Sequence, residues 1–336
     1  MIEGPYIILS NGYYPDGSLD YDALVRQAEF ASEWDIPGVI WPQSNDAVDL
    51  LSKEEKFKGM AVLAEAWGRK RYKTRLTLGI SGDDIPASLE NAREAERLAS
   101  EWGLDDLVLC ARPPYYGRSQ DEIRSYYEAL AGVVRHPVII QTYVIRDCPA
   151  PDVELLIDLA RKYPDIYGWI KEESNDMEAN ERQRRELGSP YVKTVFSARG
   201  GWQWLYQHRI IGTRGLISER IAYCPIIGYI WKCMQEGDPC GRLTQAFAMY
   251  RLLIDQRNFN CVTLRGYSLH YMERLGLLRN SVSRDYIEKI VTPGGTYPVG
   301  DKSRWKLVDF PVSEEECREL DKCYDDMLDF VNEKHD

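Results

Sequence analysis

Nowhere does the chain hold about 18 consecutive apolar residues, so no part of it reads as a membrane-spanning helix. The opening residues, Met1-Ile2-Glu3-Gly4, lack the basic and apolar regions of a secretory signal, and a cytoplasmic location is expected. Histidine is scarce, with residues at 136, 208, 270 and 335 only, and the eight cysteines form no C-x-x-C pair. Metal-ligand spacing is therefore missing, a disulfide framework is not expected, and the cysteines read as small buried hydrophobes. Positive charge is also in deficit. A formal net charge of -11 argues against nucleic acid and anionic membranes as partners, since both select clustered Lys and Arg. The one compact basic run, Arg69-Lys70-Arg71, reads as a solvated loop. Low-complexity tracts and Gly/Ser linkers are absent too, which leaves no obvious point at which the chain would divide into independently folding halves.

What is present is a rhythm. The 336 residues suffice for one large barrel with added helices or for two ordinary domains. Eight short apolar, β-rich runs predict strands: Tyr6 to Leu9, Gly38 to Trp41, Arg75 to Gly79, Leu107 to Cys110, Val138 to Thr142, Tyr167 to Ile170, Val192 to Phe196 and Gly215 to Ile217. Helical periodicity fills the gaps, over Tyr21 to Trp34, Lys53 to Trp67, Pro86 to Trp102, Gln120 to Val134 and Pro151 to Tyr163. An open doubly wound sheet rarely needs eight consecutive βα repeats, whereas a (β/α)8 TIM barrel is made of them. The expected organisation is an α/β barrel over residues 1–222 with a helical extension over 223–336. Within that extension, Gly241 to Asp255, Val262 to Leu277 and Glu314 to Asn332 read as helices, and Thr292 to Pro298 reads as a tethering loop.

Lys171 ends the run Ile166-Tyr167-Gly168-Trp169-Ile170-Lys171, at the C-terminal end of a strand, where barrels place their chemistry. Burial there disfavours an ammonium and favours the neutral amine, a nucleophile toward carbonyl carbon. The competing reading is a strand-end lysine pointing at solvent. Glu172 and Glu173 follow directly; because successive strand residues face opposite ways, at most one shares the lysine's side, and the pair reads as a solvated or salt-bridged strand end.

Five short motifs in order, spread over residues 5–282, decide between these readings. Pro15-Asp16-Gly17-Ser18-Leu19-Asp20, Leu51-Ser52-Lys53-Glu54-Glu55, Pro114-Tyr115-Tyr116 with Ser119-Gln120, Gly168-Trp169-Ile170-Lys171-Glu172 and Gly215-Leu216-Ile217-Ser218 resemble the motifs of the dihydrodipicolinate synthase and N-acetylneuraminate lyase family. That resemblance implies a class I aldolase on a TIM barrel, with Lys171 forming the imine and no metal or organic cofactor. It also implies a homo-oligomer, a dimer or a tetramer built from dimers, in which Tyr116 reaches a neighbouring subunit's site; a structural turn tyrosine is the alternative.

The departures from the family pattern matter as much. Ser44 and Asn45 stand where the family has a Thr-Thr pair that holds the substrate carboxylate, and Gln141 stands where it has a catalytic tyrosine. An amide does not titrate in the useful range, so Gln141 orients a water or a substrate hydroxyl and leaves proton transfer to another group. Tyr143, two residues along, either supplies the lost phenol or lids the barrel. Arg146 falls at the family's loop arginine and offers a cationic fork to a carboxylate, with surface exposure as its alternative. Arg199, in Ser197-Ala198-Arg199-Gly200-Gly201, adds a second cation at the mouth or starts a helix, and Ser218 closes the eighth strand among the candidate substrate-binding residues.

The expected function is a Schiff-base-forming lyase or aldolase acting on pyruvate or a longer 2-oxo acid, with the altered residues arguing against dihydrodipicolinate synthesis itself. The alternatives are a dehydratase of a deoxy keto sugar acid using the same imine, and a barrel that binds a small acid as a sensor without catalysis. A phosphate-binding barrel is disfavoured, because Gly200-Gly201 is the only glycine pair near the last two strands.

Overall fold

A computed structural model describes all residues except 44–47, 114–118, 144–148, 175–177, 219–220, 239, 256–266, 293–294, 302, 310–311 and 334–336. Eight parallel strands form the central sheet: β1 (Gly4–Ile8), β2 (Gly38–Trp41), β3 (Arg75–Gly79), β4 (Val108–Ala111), β5 (Val138–Gln141), β6 (Trp169–Lys171), β7 (Thr194–Phe196) and β8 (Gly215–Ser218). Their order is β7-β6-β5-β4-β3-β2-β1-β8. The ring closes between the two ends of that list. Ser197 N–H donates to Gly215 O at 2.9 Å, and Ile217 N–H donates to Ser197 O at 2.9 Å. The protein is therefore a (β/α)8 barrel, with each strand within two residues of the run that predicts it at its N-terminal end.

The chain divides into two compact units, one of residues 1–6, 37–43 and 57–218, the other of residues 7–36, 44–56 and 219–336. In the first, Tyr6 of β1 meets Phe196 of β7 edge-to-face, with ring centroids 5.6 Å apart. Since β8 lies between these strands in the ring, the two rings can only meet across the interior. Glycines at two strand starts make room for them. A Cβ on Gly38 would fall 2.2 Å from the Tyr6 ring, and one on Gly215 would fall 2.7 Å from Phe196. Phe196 is the register partner of Lys171, and Lys171 that of Gln141. Partners in a parallel sheet share a face, so Lys171 and Gln141 also point inward.

The helices of this unit are α2 (Lys53–Lys70) from Phe57 onward, its first residues through Lys56 belonging to the second unit, then α3 (Ile85–Trp102), α4 (Gln120–Ala131), α5 (Val153–Lys162), α6 (Ala179–Leu187) and the single turn α7 (Trp204–Tyr206). Local sequence sets their ends. Asp84 caps α3 by accepting from Ala87 N–H at 2.8 Å, and Gly103, at φ 62, ends it in the left-handed conformation. Arg69 and Lys70 form the last turn of α2, where cations oppose the negative end of the helix dipole; the basic run is thus largely helical, in place of the expected loop. Glu96 of α3 holds the entry to β5: it accepts from Arg135 and His136 N–H at 2.8 and 3.1 Å and pairs with His136 Nδ1 at 2.9 Å.

The second unit contains α1 (Tyr21–Glu33), α8 (Cys224–Glu236), α9 (Leu243–Asp255), α10 (Ser268–Arg274) and α11 (Glu314–Asn332). It also contains strands that the sequence did not announce. β9 (Ser283–Tyr286) pairs with β12 (Trp305–Val308), and β10 (Lys289–Thr292) pairs with β11 (Gly295–Pro298). The expected tether is therefore a hairpin. At its base Arg284, 3% exposed, donates twice to Gly17 O at 2.8 and 3.0 Å, to Leu50 O at 3.1 Å and to Glu55 at 2.6 and 2.9 Å, with its guanidinium near the rings of Trp305 and Tyr13. The motifs at the helix starts are caps. Asp20 accepts from Ala23 N–H at 3.3 Å, while Ser52 and Glu55 exchange bonds as a capping box. No helix among the described residues is long and apolar enough to cross a membrane.

Two predictions follow from this packing. Gly38→Ala is expected to cost about 1–3 kcal/mol in urea unfolding through overpacking against Tyr6, and the double substitution with Tyr6→Leu is expected to cost less than the sum of the two. The second concerns pH. The hydrogen bond to Glu96 raises the pKa of His136 above its ordinary 6.5, a contribution complete below 6.5 and lost as pH climbs through the raised value. Burial works to raise Glu96, but the bonds from His136 and the backbone outweigh it and hold the carboxyl below 4.5, a contribution complete above 4.5 and lost as pH falls through the lowered value. His136→Asn should therefore destabilise most between those two pH values, and the deficit measured by urea unfolding should shrink as pH is raised toward about 9.

Candidate active site

Gly168, at φ 125, lets the chain turn into β6 in a conformation that side-chain-bearing residues avoid. Three residues on, Lys171 is 4% exposed at the C-terminal end of the strand. Its Nζ lies 2.9 Å from Oε2 of Glu173. The same oxygen accepts from Gln141 Nε2 at 2.7 Å. Glu173 reaches the lysine because it lies two residues along on an extended backbone, and two bonds hold that backbone. Glu173 N–H donates to Thr142 Oγ1 at 2.6 Å, and Arg199 Nη2 donates to Glu173 O at 3.3 Å.

Glu172 turns the other way, with no side-chain exposure. It accepts from Thr142 Oγ1 at 3.0 Å, from Ser174 N–H at 2.8 Å and from the Ser174 hydroxyl, and it pairs with Arg182 Nε at 3.0 Å. Arg182 in turn donates to Pro151 O at 2.6 Å. Next to this pair, Glu186 is buried, and burial together with the charge of Glu172 pushes its carboxyl well above the usual range, toward the neutral acid. Of the two readings of the glutamate pair, the salt-bridged one holds and the solvated one does not: Glu173 shares the lysine's side and pairs with it, while Glu172 faces away and pairs with Arg182 of α6.

Cys110 of β4 is completely buried, and burial pushes its thiol up to about 11 against the opposing pull of the Lys171 charge. It accepts from Gln43 Nε2 at 2.8 Å. Gln43 reaches it because β3 ends in glycine: a Cβ on Gly79 would lie 1.6 Å from Pro42 O. Ser218, at the end of β8, is fully buried, and its hydroxyl has no hydrogen-bond partner among the described residues, which leaves a polar group available to a bound molecule. No three His, Cys, Asp or Glu side chains among the described residues gather as a metal site would require.

The structure thus brings Lys171 and Gln141 together through Glu173, with Arg199 bonded to the backbone of that glutamate. Arg199 also opens the 3-10 turn Arg199–Gly201, in line with its reading as a helix start. Tyr143 is partly buried two residues beyond Gln141. Ser44, Asn45, Tyr116 and Arg146 lie outside the described residues. Gln120, from the same motif as Tyr116, bridges two loops by donating to Ala150 O at 2.9 Å and accepting from Asp152 N–H at 2.8 Å. Glu173, Thr142, Gln43 and Cys110 were missed by sequence reasoning. The signal for Glu173 was present in the two-residue alternation that starts from Lys171; Gln43 and Cys110 converge from other strands and carry no local signal.

No family model matches the chain. It is 24% identical over 209 residues to a 4-hydroxy-tetrahydrodipicolinate synthase of Rhizobium meliloti, covering 60% of this chain and 68% of the relative. A protein of the same name from Nitrosococcus oceani is 26% identical over 228 residues, covering 67% and 72%. Among solved structures, N-acetylneuraminate lyase from Fusobacterium nucleatum, complexed with pyruvate, superposes with a TM-score of 0.71 at 16% identity over 97% of each chain. That identity speaks for the fold alone, while the sequence relatives and the shared motifs speak for descent. The chain thus has the barrel of N-acetylneuraminate lyase and, at 24–26% identity over about two thirds of its length, is similar in sequence to the 4-hydroxy-tetrahydrodipicolinate synthases.

Proposed function

We propose that the protein is a Schiff-base-forming lyase or aldolase in which Lys171 condenses with the ketone of pyruvate or a longer 2-oxo acid. One observation carries the reading: the amine of Lys171 is almost fully buried, faces the barrel interior at the C-terminal end of β6, and is held there by Glu173 at 2.9 Å. A buried cation without a function is costly to keep, so its retention at that position needs a reason. An imine supplies one. The protonated imine draws electrons from the adjacent carbon-carbon bond and lowers the barrier to breaking or making it. Ser44, Asn45, Arg146 and Ser218 are assigned to the substrate carboxylate and hydroxyls, with Arg199 as a second cation for an acidic tail. Gln141, already a donor to Glu173, positions polar groups in place of a tyrosine. The names of the similar proteins, a 4-hydroxy-tetrahydrodipicolinate synthase in sequence and an N-acetylneuraminate lyase complexed with pyruvate in fold, support this chemistry.

Borohydride reduction in the presence of pyruvate, followed by intact-mass measurement, tests it. The expected result is a mass gain equal to pyruvate plus two hydrogens less one water. Lys171→Ala should abolish the gain, and so should Lys171→Arg, which keeps a cation beside Glu173 and so guards against simple unfolding. No gain with pyruvate or any other 2-oxo acid would favour the small-acid sensor.

A further inference from the structure

Imine chemistry needs a proton acceptor as well as a nucleophile. The ammonium must lose a proton before it can attack, and a carbon beside the imine must lose one to give the enamine. Gln141 cannot fill that role, because a neutral amide does not titrate. A carboxylate can, and one already touches the reacting nitrogen. We infer that Glu173 is the catalytic acid-base group of this site, a role that rests on the imine reading above.

Three observations support the assignment. Glu173 Oε2 is 2.9 Å from Lys171 Nζ, within hydrogen-bond reach of the proton to be moved. The same oxygen receives Gln141 Nε2 at 2.7 Å, so the glutamine aims the carboxylate at the nitrogen. The backbone of Glu173 is pinned by Thr142 Oγ1 at 2.6 Å and by Arg199 Nη2 at 3.3 Å, which limits its drift when substrate enters. The side chain keeps 14% exposure, against none for Glu172. Glu172 is no rival, being turned away and consumed by Arg182, Thr142 and Ser174.

The proton path balances at each step. Glu173 takes a proton from the Lys171 ammonium, and the amine adds to C2 of the 2-oxo acid, forming the C–N bond as the carbonyl pair moves to oxygen; a proton then passes from nitrogen to that oxygen to give the carbinolamine. Glu173 returns its proton to the hydroxyl, which leaves as water, and the nitrogen lone pair forms the protonated imine. With pyruvate, the carboxylate then takes a C3 proton; the C–H pair becomes the C2–C3 double bond, and the C=N pair returns to nitrogen as the enamine. No oxidant, metal or further reactant enters.

The test separates this role from the imine itself. Full-length protein is incubated with pyruvate in deuterium oxide, loss of the methyl proton signal is followed by NMR, and parallel samples are trapped with borohydride. The unaltered protein should be trapped and should exchange C3 protons. Glu173→Gln, nearly the same shape, should still be trapped at equilibrium but exchange roughly a hundredfold or more slowly, and Glu173→Asp should recover part of the rate. Trapping of Glu173→Gln with exchange within about threefold of the unaltered protein would overturn the role and leave the imine reading standing. Loss of both trapping and exchange in Glu173→Gln supports the role if Glu173→Asp restores them, and overturns it in favour of a structural one if it does not. Absence of trapping in the unaltered protein would remove the imine reading, and the role of Glu173 with it.

Discussion

A charge taken out of water must find its opposite, and the barrel interior meets that demand with a lysine and a glutamate two residues apart on one strand. Everything placed around them follows from keeping that contact short. Gln141 shares the carboxylate oxygen, Thr142 and Arg199 hold the glutamate's backbone, and Gly79 lets the chain bring Gln43 onto Cys110 nearby. At 5% and 14% side-chain exposure, the pair is shielded enough for its electrostatics to be stronger than at a protein surface.

The neighbouring glutamate shows what the same rule produces on the opposite side of the strand. Glu172 is fully sequestered and satisfied by one guanidinium and two hydroxyls, while the adjacent Glu186 is driven toward its neutral form. Three acidic residues near one strand end thus differ by orientation: one partners the amine, one is tied to Arg182, and one is kept uncharged by burial.

Strand and helix order was legible because it rests on local signals. The apolar runs of the barrel, the motifs that hold Asp20 and Ser52 at the starts of α1 and α2, and the amphipathic stretch of Glu314 to Asn332 each show in short segments of the chain. Lys171 was legible from its place at a strand end. Glu173 was not, since sequence gives the direction of a side chain but not the depth at which the strand stops. β9 was hidden for a different reason: Ser283-Arg284-Asp285-Tyr286 is buried along its whole length yet mostly polar, its charges satisfied by Glu55 and Lys289 far and near in the chain. Hydrophobic alternation cannot reveal a strand whose burial is sustained by ion pairs. Pro293 and Gly294 then made the neighbouring hairpin look like a plain connector.

The arginine at the heart of that strand has a consequence for how the chain is made. Gly17, Leu50 and Glu55 leave the ribosome more than two hundred residues before Arg284 arrives to bond them, and Trp305 comes later still. Until then the early segment carries an unmatched carboxylate and bare carbonyls. Residues 57–218, by contrast, form one unbroken stretch whose neighbours are mostly adjacent in synthesis. A nascent protein therefore carries Gly17, Leu50 and Glu55 without the guanidinium that bonds them, and a message truncated before codon 284 would yield a chain in which these segments never receive it.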